Sequence, residues 1–424
     1  MKKIQIAGIV LFSLLLLVCS LATLVLPDRL QSDMENRDLA TRPSLSLQAV
    51  RSGTFQTDYE TYLSDQMLFR DGWVSLASCI EYGEGKKDIN NVYMASQGYL
   101  IEKTEKNGVD KEQVEENTGY LTDFLNDSAE VLGADHVRCL MVPSKATVLA
   151  DKLPAYAAYE TEDSLIASIK KSLEQPEVFL DLRPILSAHS EEYIYYRTDH
   201  HWTTLGAFYA YQALQDSLKK KAPEINDYRR ESAFTDFYGT TYNKAHIPVK
   251  QDTVEIFHSK KEQPLSVVRA GENAVDSCYF TDKALQGFNR YDVFFGGNTS
   301  RITIDTKAGT GKTLLVLKDS FANCFVPFLT GEYDRIILLD YRYGKQAVSQ
   351  VVEESNGVTD VLVLYNTDKF KQDTHLHKLD TVEISGKDDD PEDGSEANPS
   401  GEESSIQEFD ADAFFNEPDE EEEE

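Results

Sequence analysis

Three runs in the last third of the chain leave little choice of fold. Leu314-Leu315-Val316-Leu317, Ile336-Ile337-Leu338-Leu339 and Val361-Leu362-Val363-Leu364 are apolar at every position. A strand with one wet face alternates, so these runs predict strands buried on both faces, as in a parallel sheet covered by helices. The segments between them suit the connections. A short helix is expected from Ser320, and residues 346–354 read as a helix stopped by Asn356-Gly357. The unit is βαβαβ, and such sheets open their ligand crevice at the carboxyl ends of the strands. Three polar groups fall there: Asp319-Ser320, Tyr341-Arg342 and Asn366.

The alternation extends upstream. Residues 53–82 and 110–132 read as helices, the second closing at Gly133. A strand at 137–142, a helix near 164–173 and a strand at 178–182 follow, again α/β. A short strand at 193–196 delivers Asp199-His200-His201-Trp202. Thr203 or Thr204 then caps a helix with Leu205, Phe208, Tyr211, Leu214 and Leu218 on one face. Residues 222–312 lose the alternation, as in Phe237-Tyr238-Gly239-Thr240-Thr241-Tyr242, and read as an insertion or a loop-rich face.

The two ends differ from this middle. Met1-Lys2-Lys3 precedes an uncharged run from Ile4 to Leu26. At 1.5 Å per residue that run is about 34 Å long, enough to cross a bilayer. The lysines predict a cytosolic N-terminus with the rest outside. Ser20-Leu21-Ala22 offers a rival cleavage site, but the apolar run continues past it. Residues 27–50 then read as a linker. Of the formal net charge of −31, the segment 387–424 carries −17, from eighteen acids and one lysine. Its composition predicts a disordered tail. The acidic balance excludes nucleic acid and an anionic membrane surface as expected partners. Cys79, Cys139, Cys278 and Cys324 match no metal knuckle or disulfide module. The expected organisation is thus an anchor (1–26), a linker (27–50), one domain (51–386) and the tail.

Acyl transfer needs a hydroxyl nucleophile, an imidazole base and a carboxylate that orients it. Ser320 follows a strand and opens a helix, so its hydroxyl and its own amide face the crevice. The amide is one oxyanion donor, and the Asn366 side chain is a candidate for a second. A plain helix cap is the structural alternative for Ser320, and turn chemistry for Asn366. The D-x-H spacing lets Asp199 turn back onto the ring of His201, while His200 is expected to point away. An acid beside two histidines can also ligate a metal, but no H-E-x-x-H pattern or second His/Cys cluster accompanies it, so no metal and no cofactor is expected. Further cleft candidates are Lys145, after Ser144 at a strand end, and Asn298, after Gly296-Gly297. Arg342 and Tyr341 are others. Trp73, Tyr82, Tyr242 and Tyr291 could stack on sugars or fill the core.

Tyr196-Arg197-Thr198-Asp199-His200-His201-Trp202-Thr203, with Lys318-Asp319-Ser320-Phe321-Ala322-Asn323 and Pro327-Phe328-Leu329 downstream, resembles the bacterial DHHW proteins. These are similar to the alginate O-acetyltransferases of the SGNH-hydrolase-like superfamily. Tyr341-Arg342-Tyr343 and Leu364-Tyr365-Asn366 also resemble that family, over roughly residues 50–375. The resemblance implies an SGNH-hydrolase-like three-layer sandwich with a parallel central sheet. It implies Asp199 as orienter, His201 as base and Ser320 as nucleophile. Lys318 stands where the family's G-D-S-F block has glycine. The implied activity is O-acyl transfer, most often acetyl, to an extracytoplasmic polysaccharide or cell-envelope glycan. A polytopic membrane acyltransferase would be the partner that supplies acyl groups. A carbohydrate acetyl esterase with the same triad, and a non-catalytic glycan-binding scaffold of the same fold, remain as alternatives.

Overall fold

The computed structural model describes residues 2–32, 37–103, 110–287 and 289–381. The expected tail disorder at 387–424 lies outside them. The three apolar runs are neighbouring strands at the middle of a seven-stranded sheet. In chain order the sheet strands are β1 (Val137–Val142), β2 (Phe179–Asp181), β3 (Leu265–Arg269), β4 (Arg301–Thr306), β5 (Thr313–Lys318), β6 (Arg335–Leu339) and β7 (Asp360–Asn366). They lie side by side in the order β3-β4-β6-β5-β7-β1-β2. From β6 through β2 the neighbours are parallel.

The sheet is mixed rather than wholly parallel. β4 runs against both β3 and β6. Both extra strands come from the segment read as an insertion, which therefore belongs to the domain's main sheet. Its signal was weak because β4 buries only Ile302 and Ile304, alternating with half-exposed neighbours. The segment also contributes an antiparallel hairpin, Tyr228–Phe237 with Asp252–Ser259. In the run from Phe237 to Tyr242, Phe237 ends that strand and Thr240 opens a helical turn, Thr240–Ala245. Residues 193–196 form no strand, only a bridge from Tyr195 to Trp202.

The longer helices are α1 (Lys2–Val25), α2 (Thr54–Gln66), α3 (Arg70–Gly83), α4 (Lys111–Leu132), α5 (Asp163–Ser172), α6 (Thr204–Ser217) and α7 (Val348–Glu354). Asp110 caps α4 by accepting from the Glu112 amide at 3.0 Å, and Thr203 caps α6 through the Gly206 amide at 3.4 Å. Alternate residues of β5 feed two cores. Leu314 and Val316 join Trp202 and the α6 residues Ala207, Phe208 and Leu214. Leu315 and Leu317 join Leu121, Phe124, Leu165, Ile169 and Val351 from α4, α5 and α7. The sheet is thus the middle of three layers, which is why its central strands carry no polar face.

The helix expected at 53–82 is two helices, broken where Phe69 takes a φ of +58°. Within the segment read as a linker, residues 39 and 40 pack on α2. Leu39 is buried, the Ala40 amide donates to Asp65 at 2.9 Å, and the Gln66 side chain donates to the Ala40 carbonyl at 2.9 Å. The apolar stretch Lys3–Thr23 within α1 has a mean hydropathy of 2.6, long and apolar enough to cross a membrane.

Leu315 is fully buried at the centre of the sheet. Leu315→Ala should cost about 2–5 kcal/mol, read as a lowered thermal midpoint of the domain. An unchanged midpoint would mean that this face of the sheet is not packed as described.

Candidate active site

β5 is the fourth strand across, and the chain leaves it toward β6 on one side before returning to β7 on the other. That reversal makes the carboxyl end of β5 a switch point, where neighbouring loops diverge and leave a crevice. Ser320 sits there as the first residue of a 3-10 turn, Ser320–Cys324. Asp319 fixes the corner. One of its carboxylate oxygens accepts from the Phe321 amide at 2.9 Å, the other from the Asn366 amide at 2.8 Å, so it straps the ends of β5 and β7 together. Among the described residues no carbonyl accepts from the Ser320 amide.

His201 lies 119 residues away in sequence and against Ser320 in space. Its Nε2 is 2.7 Å from Ser320 Oγ, and its Nδ1 is 2.5 Å from Asp199 Oδ1. Asp199 Oδ1 also accepts from the His201 amide at 2.9 Å. Asp199 Oδ2 accepts from the amide and hydroxyl of Thr240, at 2.8 and 3.1 Å. Burial alone would raise the Asp199 carboxyl, but the adjacent His200 and His201 outweigh it and hold the group well below the ordinary carboxylate range. The acid is thus kept ionised, and Nδ1 is held as a donor. Nε2 is then the nitrogen that can take a proton from Ser320.

The His201 ring is gripped on its faces. Tyr291 stacks on it with centroids 4.0 Å apart and planes 13° apart, and Phe321 lies at 4.8 Å. The Tyr291 hydroxyl donates to the Ser320 carbonyl at 3.1 Å. Tyr291 is buried, so it supports the imidazole and does not stack on a sugar. Trp202 joins the two motif segments, its indole N–H donating to the Phe321 carbonyl at 3.0 Å.

Two buried charges hold the turn that carries Asp199. Asp252 accepts from the Arg197 and Thr198 amides at 2.9 and 2.7 Å and from the Thr198 hydroxyl at 2.5 Å. The Tyr193 hydroxyl is its fourth donor. From the other side, Lys145 Nζ donates to the carbonyls of Asp199 at 2.8 Å and Leu100 at 2.7 Å. Burial pushes the Lys145 ammonium down to about 8. Lys145 lines a cleft, with its ammonium engaged by backbone carbonyls. Asp252 and Thr240 escaped the sequence reading because they lie in the patternless segment 222–312, with no motif around them.

The other candidates also find structural work. Asn366 Nδ2 donates to the Val142 carbonyl at 3.1 Å, and its Oδ1 caps the next helix through the Lys369 amide at 3.3 Å. Its side chain is a helix cap that also ties β7 to β1, in the wall of the cleft. Arg342 forms a two-pronged pair with Asp340, at 2.8 and 2.6 Å. Tyr341 is buried in the core layer of α4, α5 and α7. Asn298 Oδ1 accepts from Lys318 Nζ at 3.3 Å and from Asn323 at 3.2 Å. Lys318 is itself buried, donates to Asn323 Oδ1 at 2.6 Å and lies 3.8 Å from Asp340. It thus fastens the Asn298 loop to the serine turn.

His200 does not point away from His201; their ring centroids are 3.9 Å apart. Its Nδ1 meets the Thr240 hydroxyl at 2.7 Å. It lines a cleft of about 400 Å³ together with Ser144, Asn366, Thr241, Asp368 and Lys369. Burial pushes Asp368 up to about 6, and one of its carboxylate oxygens has no partner among the described residues. Asp199, His200 and His201 bring their ligand atoms within 4.8 Å, as a metal site would. However, His201 uses both nitrogens on Asp199 and Ser320, and both Asp199 oxygens are taken. That donor set is already committed to the hydrogen-bonded chain.

Residues 177–339 match the family described as DHHW protein, in agreement with the resemblance read from the motifs. A DHHW family protein from Eubacterium siraeum DSM 15702 superposes with a TM-score of 0.53 at 23% identity, covering 70% of this chain and 97% of its own. Bacillus cereus PatB1, solved with a sulfonyl adduct, superposes with a TM-score of 0.53 at 21% identity, covering 66% of this chain and 95% of its own. These likenesses establish a shared fold. No curated protein matches the chain in sequence.

Gly239 packs on Asp199, and a Cβ built there would lie 2.2 Å from Asp199 Cβ. Gly239→Ala must therefore displace Asp199. Misplacement by about 1 Å costs on the order of 10²-fold in such arrangements. The labelling rate of Ser320 by a fluorophosphonate probe should fall by about that factor, with the circular dichroism unchanged. A labelling rate equal to wild type would detach Asp199 from the reactivity of Ser320.

Proposed function

We propose that this chain is an O-acyltransferase, with acetyl as the favoured group, acting on an extracytoplasmic polysaccharide or cell-envelope glycan. The observation that carries the reading is the continuous hydrogen-bonded chain Ser320 Oγ, His201, Asp199, at 2.7 and 2.5 Å. The layered sheet with its serine at the central strand end supports the finer assignment to the SGNH-hydrolase-like class.

In this reading Ser320 Oγ attacks the acyl carbonyl of the donor while His201 Nε2 takes the hydroxyl proton. The Ser320 amide stabilises the oxyanion. His201 returns the proton to the leaving group, and the acyl-serine remains. An acceptor hydroxyl then enters, loses its proton to His201 and attacks the acyl carbon, and Ser320 regains the proton as the ester departs. Acyl transfer by this route needs no cofactor. Burial of the serine at 6% exposure supports transfer over hydrolysis, because it limits the water that competes with the acceptor. The cleft beside His200 is polar, and the unpartnered Asp368 oxygen suits a sugar hydroxyl.

The substrate side follows from α1. As a membrane anchor with Lys2-Lys3 in the cytosol, it would place the domain outside, beside a polytopic acyltransferase that passes acyl groups across the bilayer. Protease added outside spheroplasts should then cleave the domain; full protection would overturn the topology and the glycan class together.

Ser320→Ala should abolish turnover of a chromogenic acetyl ester and block the mass gain that a sulfonyl fluoride gives the wild type. Surviving turnover would refute the nucleophile. Product analysis with an added glycan separates the alternatives: acetylated glycan supports transfer, acetate alone makes the chain an esterase, and neither leaves a binding scaffold.

A further inference from the structure

α3 is built inside out. Its inward side is polar: Ser78 is buried and accepts from the Asn90 side chain at 3.2 Å. Its outward side carries Trp73, Leu76, Ala77 and Ile80, with Phe69 just ahead of it. These positions recur every three to four residues and form one face without a charge. Phe69 is 73% exposed, Leu76 50% and Ile80 54%. A helix that solvates its exposed side places charges there, so this face calls for a cover.

Its position names the cover. Tyr62 Oη, on α2, donates to the Thr23 carbonyl near the end of α1 at 3.3 Å. Gln66 donates to the Arg29 carbonyl at 2.9 Å, and Arg29 pairs with Asp71 in the first turn of α3 at 3.2 Å. Leu26 and Leu30, where the chain leaves α1, are exposed as well. α3 is thus tied to the point where the anchor would leave the bilayer. With 14 residues it spans about 21 Å, too short to cross a bilayer but suited to lying on one. Trp73 has its indole N–H satisfied by the Leu68 carbonyl at 3.1 Å, so the ring can enter an apolar layer without an orphaned donor.

We propose that α3 docks in the outer lipid–water interface through Phe69, Trp73, Leu76 and Ile80. It would form a second membrane contact that holds the domain down against the bilayer. This rests on the reading of α1 as a membrane anchor.

The chain has two tryptophans, and Trp202 is fully buried in the domain. Tryptophan quenching by lipid therefore reports on Trp73. The full chain should be reconstituted into phosphatidylcholine vesicles whose acyl chains are brominated near the headgroup. Trp73 emission should be blue-shifted and quenched, and Trp73→Phe should remove the quenchable fraction. Leu76→Glu combined with Ile80→Glu, both on the exposed face, should abolish quenching while the protein stays in the carbonate-resistant membrane fraction. Retention of the wild type in that fraction with a red, unquenched Trp73 would overturn the docking and spare the anchor. A blue but unquenched Trp73 together with a cross-linked dimer would assign the face to a second copy and overturn the lipid. Release of the wild type by carbonate would overturn the anchor, and the docking with it.

Discussion

The site depends on the buried carboxylate of Asp252. The turn through Arg197, Thr198 and Asp199 has backbone amides that no helix or sheet satisfies, and Asp252 accepts two of them along with the Thr198 and Tyr193 hydroxyls. An unpaired charge there would be costly, whereas hydrogen bonds to a charged acceptor contribute roughly 1.5–3 kcal/mol each. Lys145 donates to the Asp199 carbonyl of the turn and to the Leu100 carbonyl, which binds the turn to the neighbouring strand residue. The two opposite charges lower the cost of burying each other and hold Asp199 from beneath. Ser320, His201 and Asp199 are thus positioned by two buried opposite charges that act through backbone hydrogen bonds.

This arrangement explains why the two motif segments can be far apart in sequence. The sheet supplies one half: β5 carries Ser320 to the switch point, with Asp319 strapping it to β7. The Asp252-held turn supplies the other half. The halves meet through three contacts of different kinds. Trp202 donates to the Phe321 carbonyl, Tyr291 stacks on His201 while bonding the Ser320 carbonyl, and His201 reaches Ser320 Oγ. An imidazole held on two faces and at both nitrogens has little freedom, and such restriction keeps reacting atoms aligned.

What the sequence made legible follows the strength of local signals. β5, β6 and β7 were readable because burial on both faces removes every polar residue from their centres, and α4 because Asp110 and Gly133 bracket an apolar stripe. The pairing of Asp199 with His201 was readable from spacing alone. β3 and β4 were not, because strands that bury one face near a sheet edge alternate too briefly to stand out from loops. Asn366, Arg342 and Lys145 were correctly placed at strand ends, yet a strand end gives no sign of what a side chain bonds. Asn366 caps a helix, Arg342 neutralises Asp340, and Lys145 binds carbonyls. Polar residues at a crevice must first satisfy the backbone that the crevice exposes, and only the remainder can face a ligand.

Lys318 follows the same rule at the position where related motifs carry glycine. A glycine there would leave a void behind Ser320, with Asp340 held by Arg342 alone. The lysine fills the space, places its ammonium 3.8 Å from Asp340 and donates to Asn323 and Asn298. Burial pushes its pKa down to about 8, while Asp340 pulls the other way and favours the charged form. Its Nζ is engaged by Asn298 and Asn323, and the side chain is buried. Its influence on Ser320 then runs through the geometry of the turn that Asn323 and Ser320 share.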